Sequence, residues 1–189
     1  MPVEPIEPGT VRDCREFIKK YNDVENFNVY GNERFIYQYI SDKYPETELK
    51  FDIEQIKLTT IDIEVKSEYG FPDVESCAEE ILLITLQDYT TKQIRTWGLG
   101  AFNNKQENVI YKSFRTEYEL LTDFINWWMI EDNTPEVITG WNSKLYDIPY
   151  LCRRIDRILG EKLKKRMSPW GLVTEEETFI AGRKHISYD

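Results

Sequence analysis

The chain has 189 residues, of which 41% are hydrophobic and 14% aromatic, so it suits one main domain with a smaller appendage and not a disordered polypeptide. The formal charge of −10 argues against a free-standing protein that holds duplex DNA through a basic face. Three widely spaced cysteines do not form a disulfide framework, and no apolar run reaches membrane-spanning length, so we expect a soluble protein in a reducing cytoplasm.

The first predicted elements belong to the N-terminal part. Thr10 and Asp13 are placed to begin a helix with an apolar stripe over Val11–Tyr21. The aromatic and β-branched run Arg34–Ser41 predicts a strand, and the polar run Asp42–Leu49 predicts a loop. We therefore expect a helix and then a strand before the main domain.

Four strands are predicted next. Strand signals resume at Phe51, and the predicted strands are Ile56–Val65, Ile81–Leu86, Ile94–Leu99 and Val109–Ser113. A helix follows, because Thr116 and Glu119 have the spacing of a capping box. The acidic, proline-containing segment Glu131–Pro135 is expected to end this helix.

The last predicted elements define the fold class. Val137–Thr139 reads as a short buried strand broken by Gly140. Asp147 begins a second helix, because Pro149 fits only in a first turn, and Gly160 ends it. An antiparallel meander, a helix, a short central strand and a second helix with an acidic start are the layout of a ribonuclease-H-like fold. We therefore predict the class α/β (α+β), with a mixed sheet and flanking helices.

A pair of carboxylates in the first strand of the main domain indicates the chemistry. Successive side chains of a strand alternate between its faces, so Asp62 and Glu64 project together while their apolar neighbours enter the core. With Asp147 from another element, they form a set of oxygen ligands suited to Mg²⁺ or Mn²⁺, with room left for a phosphate. The predicted chemistry is metal-dependent phosphodiester hydrolysis. Asp52 and Glu54 show the same alternation and form a rival pair, and such pairs are ordinary on exposed strand faces.

Two longer motifs carry a resemblance to a known family. Thr60–Val65 followed by Phe71–Asp73 resembles the first exonuclease motif of family B DNA polymerases, and Ile138–Leu151 resembles their second. The segment Arg157–Gly171 is similar in particular to the polymerases of T-even-like phages. The resemblance covers the chain from about Gly9 to its last residue.

This resemblance implies part of a DNA-directed DNA polymerase whose 3′–5′ exonuclease proofreads single-stranded 3′ ends by two-metal hydrolysis. It implies that Asp62 bridges two Mg²⁺ or Mn²⁺ ions, that Glu64 binds the first, and that Asp147 serves the second directly or through water. The implied partners are a primer–template and the remainder of the polymerase, in the same or a separate chain. The implied location is the cytoplasm of a phage-infected bacterium.

The resemblance also implies DNA-contacting residues. Asn142 and Tyr146 would line the path of the single strand, and Phe71 would stack on a terminal base. Core packing is the alternative for Phe71 and Tyr146, and a turn position is the alternative for Asn142. The segment Phe179–Tyr188, with Gly182 at its tip, resembles the β-hairpin that helps to separate primer from template.

One family feature is missing. A third motif, Tyr-x-x-x-Asp, does not follow Asp147, and Tyr188 and Asp189 are adjacent instead of spaced. We therefore expect residues 1–55 to be the end of an N-terminal domain, and residues 56–189 to be a partial exonuclease domain truncated before its last helices.

Two alternative functions and the role of one basic segment remain open. The chain could be a non-catalytic module that binds single-stranded DNA or primer ends, or a self-sufficient nuclease in which Asp52, Asp73 or Glu75 replaces the missing ligand. Residues 151–189 carry nine basic and six acidic side chains, whereas residues 1–150 carry 15 basic and 28 acidic. The basic run Arg153–Arg166 could meet phosphate, or it could be a solvated helix face.

Overall fold

The structure is a computed structural model that describes residues 3–30, 34–45, 48, 50, 52–68 and 70–188. The chain divides into two compact units, Met1–Phe51 and Asp52–Asp189. Across the residues described, no helix has the length and apolar character needed to cross a bilayer.

The first unit contains two helices in its described part. Helix α1 spans Val11–Tyr21. It begins as predicted, because the Asp13 carboxylate accepts a hydrogen bond from the Thr10 amide at 2.8 Å and the Asp13 amide donates to the Thr10 hydroxyl at 3.3 Å. This reciprocal pair satisfies two amides that a helix start leaves open.

Helix α2 spans Phe35–Lys43, so the strand predicted over Arg34–Ser41 is wrong. Its side chains pair at helical spacing, with Gln38 donating to Asp42 at 2.7 Å and Lys43 donating to the Tyr39 hydroxyl at 2.9 Å. Both pairs link residues four apart, which meet on a helix and not on a strand. The predicted loop therefore begins later than Asp42, and its last residue, Leu49, lies outside the described residues.

The second unit opens with a short 3₁₀ turn over Ile53–Gln55, where the sequence predicted a strand. Phe51, at which that prediction started, lies outside the described residues. The Asp52 carboxylate accepts a hydrogen bond from the Glu54 amide at 3.0 Å and so caps the turn. The rival carboxylate pair Asp52 and Glu54 therefore belongs to a turn and not to a strand face.

A five-stranded sheet forms the body of the second unit. Its order is β4-β3-β2-β1-β5, and the strands are β1 Leu58–Val65, β2 Ile81–Asp88, β3 Ile94–Leu99, β4 Val109–Phe114 and β5 Val137–Thr139. Strands β1, β2 and β3 are antiparallel neighbours, whereas β5 runs parallel to β1. The mixed sheet with flanking helices confirms the predicted fold class.

The predicted meander is wrong at its last strand. β4 runs parallel to β3, with Ile94 opposite Val109 and Leu99 opposite Phe114. The connection over residues 100–108 is long enough to return to the start of β3, and the Asn104 side chain folds it by donating to the carbonyl of Val109 at 2.6 Å. A tight hairpin would have reversed the direction instead.

The core lies between the sheet and two helices, α3 (Glu117–Trp128) and α4 (Asp147–Leu159). Both helices begin where the sequence predicted, and Thr116 caps α3 by accepting from the Glu119 amide at 3.3 Å. The largest fully buried side chains come from the sheet and from both helices: Trp97, Trp128, Tyr150, Phe124, Ile61, Ile81, Ile84, Leu120, Leu121, Ile125, Leu151 and Ile155.

The sequence predicted a buried strand at β5, but Val137 and Ile138 are 45% and 37% exposed. The reason is its place in the sheet, because among the described strands β5 lies at the edge and pairs with β1 alone. An edge strand has a neighbour on one side only and keeps more of its surface in solvent.

The final elements are a short helix and a hairpin. Helix α5 spans Glu161–Lys164, and β6 (Glu175–Ile180) pairs with β7 (Arg183–Tyr188) in an antiparallel hairpin. Its turn residues, Ala181 and Gly182, have φ of 50° and 77°, which is the left-handed pair that a type I′ turn needs. The predicted hairpin with Gly182 at its tip is therefore confirmed as a structure.

Candidate active site

Strand β1 presents two carboxylates on one face. Asp62 and Glu64 are exposed, whereas Ile61 and Ile63 between and beside them are 1% and 6% exposed. The predicted alternation is therefore confirmed. The apolar residues fix the strand in the core, so both carboxylates stand on a rigid element.

Asp147 reaches the same strand from the start of α4. Its Oδ1 accepts a hydrogen bond from the Ile63 amide at 3.1 Å. Strand β5 pairs with β1 only as far as Thr60, so the edge of β1 beyond that point is open to a side chain. The Asp147 carboxylate therefore contacts the residue that separates Asp62 from Glu64.

Gly140 allows this close approach. A Cβ placed on Gly140 would lie 2.5 Å from the Ile61 carbonyl oxygen, which is far inside van der Waals contact. Any other residue would push the chain between β5 and α4 away from β1. The sequence marked Gly140 only as a strand breaker, because a contact across nearly 80 residues leaves no local signal.

The chain then turns into α4 at Asn142. This residue is exposed and left-handed, with φ of 59°, and its carbonyl accepts from the amides of Leu145 at 3.0 Å and Tyr146 at 2.9 Å. The turn interpretation of Asn142 is therefore confirmed. Its neighbour Trp141 is 95% exposed. Trp141 was not singled out from the sequence, although it lies inside the second motif.

Phe71 and Tyr146 form an aromatic contact at this end of the sheet. Their ring centroids are 4.7 Å apart at an angle of 45°, and Tyr146 also contacts Tyr150 at 5.7 Å. Tyr146 packs against the core, but Phe71 is 82% exposed, so core packing does not describe Phe71. An exposed ring held by a second ring is a surface on which a nucleobase can stack.

The electrostatics of the site favour a cation. Burial raises the pKa of Asp147, and the negative charges of Asp62 and Glu64 raise it further, while the hydrogen bond from the Ile63 amide opposes them. Burial, with a smaller effect of the Asp147 charge, raises the pKa of Tyr146 to about 12. The carboxylates thus repel one another when all are ionised, and a divalent cation would relieve that repulsion.

The donor set fits Mg²⁺ or Mn²⁺, since it consists of carboxylate oxygens without histidine or cysteine. In the described part of the chain, however, no three or more His, Cys, Asp or Glu side chains are grouped closely enough to hold a metal ion. The structure therefore brings Asp147 to the strand that carries Asp62 and Glu64 without closing them into a coordination shell.

The three carboxylates considered as replacement ligands have other partners. Asp52 caps the 3₁₀ turn, Asp73 accepts from the Ser76 amide at 2.7 Å, and Glu75 pairs with Lys184 at 3.1 Å. The self-sufficient nuclease that would use them gains no support from these contacts.

The basic run also has partners within the chain. The pairs of its members with acidic side chains are Arg153–Glu175, Arg154–Glu117, Lys164–Asp156 and Lys165–Glu161. Arg157 donates instead to the Ser76 carbonyl at 3.0 Å. These five cations therefore have partners within the chain, which favours a stabilising role for them over phosphate binding.

We expect Asp147→Asn to raise the thermal midpoint of the metal-free protein at about pH 7 by roughly 2–4 °C, the change that about 1 kcal/mol produces at this size. The variant keeps an oxygen for the Ile63 amide and removes a buried charge. The pKa of Asp147 is raised above 3.8 in the folded state. Ionisation of Asp147 therefore lowers the free energy of unfolding as the pH rises above 3.8, and the loss is complete once the pH exceeds the raised pKa. Melting curves in EDTA should therefore converge near pH 3, and a gain that persists there would contradict the charge as its cause.

The sequence of this chain is similar to those of known DNA polymerases. Residues 9–188 match the family described as DNA polymerase family B, exonuclease domain. The chain is 32% identical over 186 residues to the DNA-directed DNA polymerase of Escherichia phage RB69, covering 85% of this chain and 20% of that polymerase. It is 31% identical over 194 residues to that of Enterobacteria phage T4, covering 89% and 21%.

A similarity over a shorter part of the chain extends to the polymerase of a human virus. The DNA polymerase catalytic subunit of Human herpesvirus 6A is 35% identical over 104 residues, covering 52% of this chain and 10% of that subunit. The chain spans about a fifth of the length of the two phage polymerases.

Proposed function

This chain belongs to the exonuclease-domain family of family B DNA polymerases, and from that membership we propose that it is part of the proofreading 3′–5′ exonuclease of a longer, phage-type polymerase. The observation that carries the proposal is the hydrogen bond from the Ile63 amide to Asp147, between Asp62 and Glu64 on β1. The substrate would be the single-stranded 3′ end of a primer. The partners would be the primer–template and the rest of the polymerase, in the cytoplasm of an infected bacterium.

Asp62, Glu64 and Asp147 are the residues that would hold the metal ions. Bound there, Mg²⁺ or Mn²⁺ would supply an activated water and a counter-charge for the leaving 3′ oxygen. The buried strand residues beside Asp62 and Glu64, and the close approach at Gly140, support the proposal, and the Ile63 amide orients Asp147 toward β1. The exposed face of β1 leaves room for the phosphate.

The experiment that tests this function follows a 5′-labelled single-stranded oligonucleotide in Mg²⁺ or Mn²⁺. We expect the wild-type chain to bind the 3′ end in a metal-dependent way, with this binding lost in Asp62→Ala/Glu64→Ala. Stepwise shortening by the wild-type chain alone would mean that another side chain replaces the ligand of the missing third motif. Metal-dependent binding without shortening would mean that catalysis needs the third motif. Binding that survives both EDTA and the double substitution would contradict the proposed site.

A non-catalytic module for single-stranded DNA is the second candidate. The exposed Phe71 ring on Tyr146 favours it, because base stacking does not depend on a metal. It is distinguished by the same measurement, since its affinity for DNA would not change in EDTA.

Replacing Phe71 tests the stacking surface that both candidates share. We expect Phe71→Ala to weaken binding of a single-stranded 3′ end by about 5- to 150-fold, the effect of about 1–3 kcal/mol for one stacked base. Fluorescence anisotropy with a labelled oligonucleotide measures this change. The matched control is Phe102→Ala, which removes another exposed ring, packed on Tyr111 of β4. Equal loss in the two variants would point to a general change in the protein.

A further inference from the structure

The base of the β6–β7 hairpin is joined to α4 by a partly buried arginine, Arg153. Arg153 Nη2 and Nε donate to the Glu175 carboxylate at 2.5 and 3.3 Å, and the Tyr188 hydroxyl donates to Glu175 at 2.6 Å. The Arg153 side chain is only 21% exposed. Two-point contacts of this kind fix orientation as well as distance, unlike most surface ion pairs.

A second attachment lies nearer the tip of the hairpin. Lys184 pairs with Glu177 of the same hairpin at 2.7 Å and with Glu75 at 3.1 Å. Arg153 Nη1 donates to the carbonyl oxygen of Glu75 at 2.8 Å. Glu75 therefore connects to both attachments, through its backbone and through its side chain.

The two strands of the hairpin differ in how they are held. In β7, Ile186 and Ser187 are 4% and 2% exposed where the strand packs against α4, whereas every residue of β6 is exposed. Near the tip, Phe179 is 73% exposed. Strand β6 is thus held by its ladder to β7 and by Glu175, so the Arg153–Glu175 pair is the contact that joins β6 itself to α4.

We propose that Arg153 is a positioning residue that holds the hairpin at a fixed place relative to the exonuclease carboxylates. Arg153 and Asp147 lie on the same helix, and the Glu75 carbonyl belongs to the segment that follows Phe71. The hairpin, the aromatic surface and the carboxylates are thereby joined through one guanidinium. The consequence for DNA binding rests on the proposed function. Binding of a primer–template would depend on the position of the hairpin tip, whereas binding of a free single-stranded 3′ end would not.

Hydrogen exchange of the chain tests the positioning role directly. We expect Arg153→Met to raise the exchange rates of the hairpin amides by about tenfold, while amides of β1 and β2 change less than about twofold. Lys165→Met is the matched control, because it removes an exposed ion pair elsewhere in the second unit. The charge swap Arg153→Glu/Glu175→Arg should restore protection. Unchanged hairpin exchange in Arg153→Met, or a rise shared equally by β1 and β2, would overturn the proposal.

DNA binding separates this inference from the proposed function. We expect Arg153→Met to weaken binding of a primer–template with a frayed 3′ end by about fivefold and to leave binding of a single-stranded oligonucleotide unchanged. Equal loss on both substrates would overturn the positioning role. A wild-type chain that binds neither substrate would instead overturn the proposed function, and the exchange result would still decide whether Arg153 holds the hairpin.

Discussion

Arg154→Met is expected to lower the free energy of unfolding by about 3–5 kcal/mol, because it leaves the Glu117 carboxylate buried without its counter-charge. The two side chains are 6% and 5% exposed, and both Arg154 Nε and Nη2 lie 2.6 Å from the Glu117 carboxylate. Glu117 also accepts from the Ile81 amide at 2.8 Å. A fully hydrogen-bonded ion pair is tolerated in the core, whereas a single buried charge without its partner is strongly destabilising.

Urea denaturation followed by tryptophan fluorescence measures this loss. The matched control is Arg12→Met, which removes an arginine from an exposed pair with Glu16 and should cost less than about 0.5 kcal/mol. The double variant Glu117→Met/Arg154→Met should lose less stability than Arg154→Met alone, since it leaves no buried charge. A cost below about 1 kcal/mol for Arg154→Met would show that water reaches the carboxylate.

This pair matters for the site because of what it connects. Glu117 is the first residue of α3, Arg154 lies on α4, and Arg154 Nη1 also donates to the carbonyl oxygens of Cys77 and Ala78 at 2.8 and 3.1 Å. It therefore fastens the helix that carries Asp147 to the segment leading into β2. Loss of the pair should loosen the approach of Asp147 to β1 before the sheet itself unfolds.

The predictions that succeeded depended on local signals. The caps at Thr10 and Thr116 need only residues three positions away, and the alternation around Asp62 needs only the strand that contains it. The strand predicted over Arg34–Ser41 failed because a short apolar run does not distinguish a strand from a helix. The direction of β4 failed because it depends on the path of the preceding connection.

In the candidate site, too, local features were predicted and long-range contacts were not. The sequence predicted that Asp62 and Glu64 lie on a strand and that Asp147 begins a helix, as the structure has them, and the resemblance implied that they act together. The contact of Asp147 with Ile63 depends on where β5 stops pairing with β1, which no local pattern records. Glu117 lies between Thr116 and Glu119 at the start of α3, and its pairing with Arg154, 37 positions away, leaves no local signal in the sequence.

Asp62→Asn is expected to weaken Mn²⁺ binding at least about tenfold, because it replaces a charged oxygen ligand with a neutral one at the centre of the proposed set. Isothermal titration of the chain with Mn²⁺ measures the affinity, and the rise of the thermal midpoint with added Mn²⁺ measures it independently. The substitution lies on an exposed position of β1, so the fold should survive it.

The matched control for this titration is Asp52→Asn, which alters the carboxylate of the rival pair. Asp52 caps a 3₁₀ turn and does not lie on the strand face that carries Asp62, so its replacement should leave Mn²⁺ affinity unchanged. If both variants bind Mn²⁺ as the wild type does, the carboxylates on β1 are ordinary surface groups and the metal site is wrong. If only Asp62→Asn loses affinity for Mn²⁺, the carboxylate of Asp62 on β1 is a metal ligand. The reason is that both variants remove one carboxylate charge and differ only in the position of that charge.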